Sequence, residues 1–209
     1  RAATPSPAPS GREARGSGLI PARGAATVTV WQPAYIGLGS NLDDPRAQIQ
    51  RAMGRIASIP GVWLALRSSL YGSRPLGPAD QPDFVNAAAG VLTQRPPLEL
   101  LRELRALERA AGRPAVRERW GPRVLDLDLL VYGRDRSSDP DLILPHPGIV
   151  ARNFVLYPLA DIAPDLDVPG HGRVADLKRR VAADSIWPLD DTHACVAAGI
   201  LGLSSDRVA

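Results

Sequence analysis

The apolar positions of this chain repeat with two alternating periods, and each change of period marks a change of element. Val28, Val30, Tyr35, Ile36 and Leu38 predict a first strand, with order starting at Thr27 and the strand leaving through Gly37-Leu38-Gly39-Ser40-Asn41. Asp43 or Asp44, followed by Pro45, is the acidic cap and first-turn proline of a helix. Ile49, Ala52, Met53 and Ile56 form its apolar stripe, and Pro60-Gly61 stops it. Val62 to Tyr71 reads as a strand, the Pro- and Gly-rich stretch Arg74 to Asp83 as a loop, and Phe84 to Thr93 as a further strand. Pro96 and Pro97 open a second helix that turns Leu98, Leu101, Leu104 (or Leu100) and Leu107 inward and ends at Gly112. Val124 to Tyr132 has the length and composition of a buried strand. Beyond it, Asp139 to Leu144 predicts a short strand, and Pro145-His146-Pro147 turns into a short helix carrying Arg152, Asn153 and Phe154. Val174 to Val181 predicts a last short helix. The order is that of the α+β class with a ferredoxin-like βαββαβ core: an antiparallel sheet with helices on one face and the other face free for ligands.

Length and composition narrow this picture. The chain has 209 residues, 44% of them hydrophobic, enough for one good core. Residues 1–26 are rich in Ala, Pro, Ser, Gly and Arg without a hydrophobic period, and are expected to be a dispensable, disordered extension. The folded domain is expected over 27–184, and 185–209 form a tail whose packing the pattern leaves open. The formal charge of +3 resides in the extension, where Arg1, Arg12, Arg15 and Arg23 face only Glu13, so the body is neutral and no broad nucleic-acid-binding face is expected. No apolar run is long enough to span a membrane. The single cysteine, Cys195, excludes an internal disulfide framework or a cysteine zinc cluster and fits a reducing cytoplasm.

The chemistry concentrates between Arg113 and Tyr132. In the run from Val124, Asp126 and Asp128 project from one strand face while Leu125, Leu127 and Leu129 take the other. Two carboxylates side by side on a buried strand repel each other and lose hydration unless a cation lies with them; the alternative is an edge strand whose acids face water. Arg113, Arg117, Arg119 and Arg123 precede them in a segment broken by Pro114, Gly121 and Pro122. Acids for a hard divalent ion and guanidinium forks for phosphate oxygens are the parts of a polyphosphate site.

Other positions carry weaker signals. Gly37 and Gly39 either cradle a phosphate or let the strand pass close to another backbone. Phe84 and Asn86 share a strand face, as a flat heterocycle requires for stacking and paired hydrogen bonds, or else are a core Phe and a turn-stabilising Asn. Leu76 is an apolar loop tip. By helix pattern alone Glu103 and Glu108 are solvated, and His171 and His193 have no partners at ligand spacing.

With these stretches in place, the chain from Tyr35 to Leu166 resembles the 6-hydroxymethyl-7,8-dihydropterin pyrophosphokinase family. The matching segments are Tyr35 to Asn41, Pro75-Leu76-Gly77-Pro78 with Gln81 to Ala88, Arg119 to Tyr132, and Pro145-His146 followed by Arg152-Asn153-Phe154. The resemblance implies transfer of pyrophosphate from ATP to a pterin alcohol, by in-line attack of the hydroxymethyl oxygen on the β-phosphorus with AMP leaving. It implies that Asp126 and Asp128 hold two Mg²⁺ ions, with Arg113 and Arg123 also in the catalytic set. Phe84, Phe154, Asn86, Ser73 and Leu76 would form the pterin site. Glu108, Arg119, Trp120, His146 and Arg152 would lie on the nucleotide side, which overrides the solvated assignment of Glu108. ATP and the pterin are the expected partners, with no nucleic acid, no membrane and a monomeric state.

Three positions depart from the family pattern: Ala115 where a second loop arginine is common, Arg105 in place of a glutamine, and Pro147 in place of an aromatic residue. Arg117 stands two residues beyond Ala115 and could serve for the missing arginine. Two other functions compete: an RNA-binding or nucleotide-sensing module of the same topology, which Asp126 and Asp128 oppose where such a surface should be basic, and an inactive relative kept as a scaffold.

Overall fold

The computed structural model describes residues 30–78, 80–112 and 121–189. Strand β1 (Gln32–Ser40) is central, paired antiparallel with β4 (Phe84–Thr93) on one side and β5 (Asp126–Tyr132) on the other. Helix α1 (Pro45–Ala57) follows β1 and α2 (Pro97–Ala110) follows β4. With β2 (Val62–Arg67) and β3 (Tyr71–Ser73) on the far edge of β4, the sheet has the split ferredoxin-like order expected of the α+β reading.

The first helix forms as its sequence requires: Asp44 caps it, accepting the Ala47 N–H, Pro45 begins it, and Ile49, Ala52, Met53 and Ile56 are its buried residues. Several elements differ from the expectation. The first strand begins at Gln32, and Val30 is 61% exposed; Thr27 and Val28 lie outside the described residues. The stretch Val62 to Tyr71 is two strands, because Ser68 pairs with Ala88 partly through its side chain. Its Oγ accepts the Ala88 N–H at 2.8 Å while its own N–H donates to Ala88 O at 2.9 Å, and this local bonding replaces a regular ladder step. In α2 the buried stripe is Leu100, Leu104 and Glu108, with Leu101 and Leu107 packed at its margin and Leu98 only half-buried.

The second half of the chain makes the larger correction. Asp139 to Leu144 belongs to a hairpin, β6 (Ser137–Asp139) and β7 (Leu142–Leu144). Helix α3 (Asn153–Ile162) is longer than expected and runs through Pro158. A small hairpin of β8 (Asp167–Val168) and β9 (Gly172–Arg173) leads to α4 (Val174–Lys178), shorter than the stretch to Val181. Val155, Leu156 and Leu159 of α3 bury against Ala88, Leu130 and Val131, making a second core on the face opposite α1 and α2. That face is therefore partly covered, and the ligand cleft is what remains beside α3. The bulge in β5 enables this: Tyr35 pairs with Val131 and Ile36 with Leu129, so Leu130 is the extra residue, and Leu130 and Val131 both serve the second core. Beyond Asp184, β10 (Ile186–Pro188) adds an edge strand to β3.

Candidate active site

The pairing register assembles the centre of the site. Gly39 lies opposite Asn86 on one neighbouring strand and opposite Asp126 on the other, and Gly37 is likewise opposite Asp128. Neither glycine has a positive φ, so this is extended strand and not a phosphate-cradling loop. Glycine supplies room instead: a Cβ on Gly39 would stand 3.6 Å from Asn86 Oδ1, 3.9 Å from Asp126 Cβ and 4.0 Å from Phe84 Cδ1. Above this floor opens a cleft of about 670 Å³, counting the open solvent at its mouth, walled by Phe84 and Asn86 from β4, Ser73, Arg74 and Leu76 from β3 and its loop, Arg123 from the segment before β5, Asp126 and Asp128 from β5, and Arg152 and Phe154 at the start of α3.

One wall is apolar with a polar end. Phe84 from β4 and Phe154 from α3 both line the cleft, and Leu76 forms an exposed lip. Asn86 is 4% exposed, and its Nδ2 donates to Ser73 Oγ at 2.9 Å, which turns Oδ1 toward the floor. Ser73 is thus a side-chain partner of Asn86 as well as a lining residue.

The other wall is charged. Asp126 and Asp128 share the cleft face, as their two-residue spacing predicts, while Leu127 and Leu129 are buried in the first core. Arg123 Nη1 donates to Asp126 Oδ2 at 2.7 Å. His146 Nε2 lies 3.7 Å from Asp128 Oδ2, and Nδ1 accepts the Gly148 N–H at 3.1 Å. Burial lowers the His146 pKa against the opposing pull of Asp128, so the ring is held neutral with its proton on Nε2. Two carboxylates facing an open cleft suit a hard cation that completes its shell with phosphate oxygens and water; among the described residues no cluster of three potential ligands forms.

Of the residues singled out from sequence, Ser73, Leu76, Phe84, Asn86, Arg123, Asp126, Asp128, Arg152 and Phe154 converge on this cleft, with His146 at its margin. Glu108 is elsewhere and is not solvated: at 2% exposure, its Oε1 accepts the Leu127 N–H at 2.8 Å, capping the outer edge of β5 between the two acids. Arg113, Arg119 and Trp120 lie outside the described residues, as do Ala115 and Arg117. His171 is exposed, as expected.

Asn41, which closes the Tyr35 to Asn41 segment, has a structural role that the sequence pattern does not predict. It is 2% exposed, accepts the Arg123 N–H at 2.7 Å through Oδ1, and donates through Nδ2 to Gln81 Oε1 at 3.2 Å and Pro82 O at 3.0 Å. It therefore ties the segment entering β5 to the loop entering β4. The sequence signal was an amide directly after a strand-ending Gly-Ser, a position where Asn commonly bonds neighbouring backbone.

A ferredoxin-like sheet with an aromatic slot on one side of a glycine floor and paired acids on the other defines an α+β enzyme with a small-molecule cleft. Residues 35–164 match the family model described as 7,8-dihydro-6-hydroxymethylpterin-pyrophosphokinase, and the chain belongs to that family. It is 50% identical over 147 residues to the 2-amino-4-hydroxy-6-hydroxymethyldihydropteridine pyrophosphokinase of Pseudomonas aeruginosa, covering 70% of this chain and 90% of that one. The enzyme of the same name from Haemophilus influenzae is 44% identical over 149 residues, covering 71% of this chain and 92% of its own. Among solved structures, wild-type HPPK-DHPS of Plasmodium falciparum with pteroate shares the fold, with a TM-score of 0.54 at 14% identity over 72% of this chain and 42% of that one.

Proposed function

We propose that the cleft binds the pterin ring between Phe84 and Phe154 and the triphosphate of ATP beside Asp126 and Asp128, so that the two substrates meet over Gly39. The reaction is that of the family: pyrophosphate passes from ATP to 6-hydroxymethyl-7,8-dihydropterin, and AMP leaves, in folate biosynthesis. The observation that carries the division of the site is the row Asn86, Gly39, Asp126 across three adjacent strands. This row supports the reading, because it brings an amide and a carboxylate to either side of a residue with no side chain.

Asn86 Oδ1 accepts from the ring edge, and Leu76 and Ser73 complete the pterin pocket. Asp126 and Asp128 would hold Mg²⁺, two ions on the strength of the family motif, and the metal would supply positive charge against the charge developing at the β-phosphorus. Arg123 neutralises Asp126, and its fork keeps further donors for phosphate oxygens. His146, neutral with Nε2–H directed toward Asp128, and Arg152 serve the nucleotide. Glu108 serves it from behind, by holding Leu127 in place between the acids. Arg113, Arg119 and Trp120 join the nucleotide side by motif alone. Rate enhancement comes from positioning and charge stabilisation. The setting we propose is a cytoplasmic monomer acting on diffusible substrates; no described helix is long and apolar enough to cross a membrane.

The test is AMP formation from ATP with and without the hydroxymethyl pterin, and pterin binding by fluorescence. AMP should appear only when both substrates are present. Asp126→Ala should cut turnover by roughly a hundredfold or more while pterin affinity stays within about twofold. Undiminished turnover would remove Asp126 from the metal site.

A further inference from the structure

His146 and Arg152 reach the nucleotide side from a single turn, and one residue between them bears on both. Gly148 donates its backbone N–H to His146 Nδ1 at 3.1 Å, which leaves the ring proton on Nε2, the nitrogen facing Asp128. Arg152 passes over the same residue. A Cβ built on Gly148 would stand 2.5 Å from Arg152 Nε, 2.6 Å from Cζ and 2.8 Å from Nη1, closer than non-bonded atoms approach. The φ of Gly148 is not positive, so the backbone would accept alanine, and what glycine supplies is space. Arg152 uses that space, with Cζ 5.8 Å from the Phe154 ring centroid and its side chain on the cleft wall. The turn itself is pinned: His146 N–H donates to Leu130 O at 2.8 Å and Ile149 N–H to His146 O at 3.0 Å. A methyl group at 148 therefore displaces the arginine rather than the backbone.

We infer that Gly148 is a positioning residue for the nucleotide, whose missing side chain lets the Arg152 guanidinium lie at the cleft wall beside Phe154. This rests on Arg152 contacting ATP. Alanine at 148 retains the N–H to His146, so the variant isolates the effect on the arginine. A planar guanidinium binds phosphate oxygens through two aligned donors, and a small rotation forfeits one of them.

The experiment is a double-mutant cycle in the full chain: Gly148→Ala, Arg152→Ala and the double variant, with KM for ATP, KM for the pterin, kcat and melting temperature for each. Gly148→Ala should raise the KM for ATP roughly tenfold and leave the pterin KM within about twofold and the melting temperature unchanged. In the Arg152→Ala background the added methyl should have no further effect, a non-additivity expected only if it acts through the arginine. Arg152→Ala with an unchanged KM for ATP would overturn the nucleotide role of Arg152 and the inference with it. Impaired Arg152→Ala beside a parental Gly148→Ala would overturn the inference alone. Equal losses from the methyl in both backgrounds, or a lowered melting temperature with losses toward both substrates, would make Gly148 a folding glycine and also overturn it.

Discussion

Replacing Glu108 by alanine removes the acceptor that α2 offers to the outer edge of β5. Leu127 is the residue between Asp126 and Asp128, and its N–H points away from β1 toward Glu108 Oε1 at 2.8 Å. A hydrogen bond to a charged acceptor stabilises by about 1.5–3 kcal/mol, and its donor is left buried when the acceptor goes. Two buried methylenes add about 1.6 kcal/mol. Release of a buried carboxylate from desolvation works in the other direction, so about 3–4.5 kcal/mol is the upper range. For a chain of this length, each kcal/mol lowers the melting temperature by about 2–4 °C. Glu108→Ala should therefore melt roughly 6–18 °C lower by circular dichroism. Glu108→Gln keeps the volume and an acceptor oxygen and should fall by only about 2–4 °C. Turnover should drop more in the alanine variant, because the strand beneath both acids loosens. A melting temperature that stays constant or rises in Glu108→Ala would refute the reasoning: the cost of burying the carboxylate would then exceed what the Leu127 bond returns.

The other predictions concern the two walls. Asn86→Ala removes the Oδ1 acceptor as well as the bond to Ser73, and should weaken pterin binding by roughly tenfold with little change for ATP; titration calorimetry giving equal losses for both would place Asn86 elsewhere. His146 has a pKa below its ordinary 6.5 because burial penalises the cation. The unfolded chain then takes up that proton first as pH falls, so the stabilisation is complete above pH 6.5 and declines below it toward the folded-state pKa. Melting curves without nucleotide or magnesium at about pH 7.5 and 5.5 should show a larger loss for the parent than for His146→Gln, and parallel losses would contradict it.

Glu103 and Glu108 show where a one-dimensional pattern runs out. Both are acids on α2, and only Glu108 continues the i+4 stripe of Leu100 and Leu104, a signal that its charge masks. Glu103 is half-buried and pairs with Arg95 at 3.2 Å, whereas Glu108 is buried against β5, where its Oε1 accepts the Leu127 N–H. The default for a charged helix residue is solvent, and the family resemblance implies the nucleotide side; the side chain is instead buried against Leu127. The edge strand β10 was equally invisible. Three residues carry no period, and its pairing with β3, where Trp187 covers Gly72 so closely that a Cβ there would clash, joins segments far apart in the chain.

The α1 stripe, an acidic cap at Asp43 or Asp44, the βαββαβ order and the shared face of Asp126 and Asp128 were all legible in the chain, because each follows from a period of 3.6 or 2 and from local backbone chemistry. The meeting of Asn86 and Asp126 across Gly39 required the register of three strands, the partial cover of the ligand face required α3 to pack on the β5 bulge, and the placement of Arg152 required the empty side of Gly148. These depend on contacts between residues tens of positions apart, and a side-chain period has no term for such contacts.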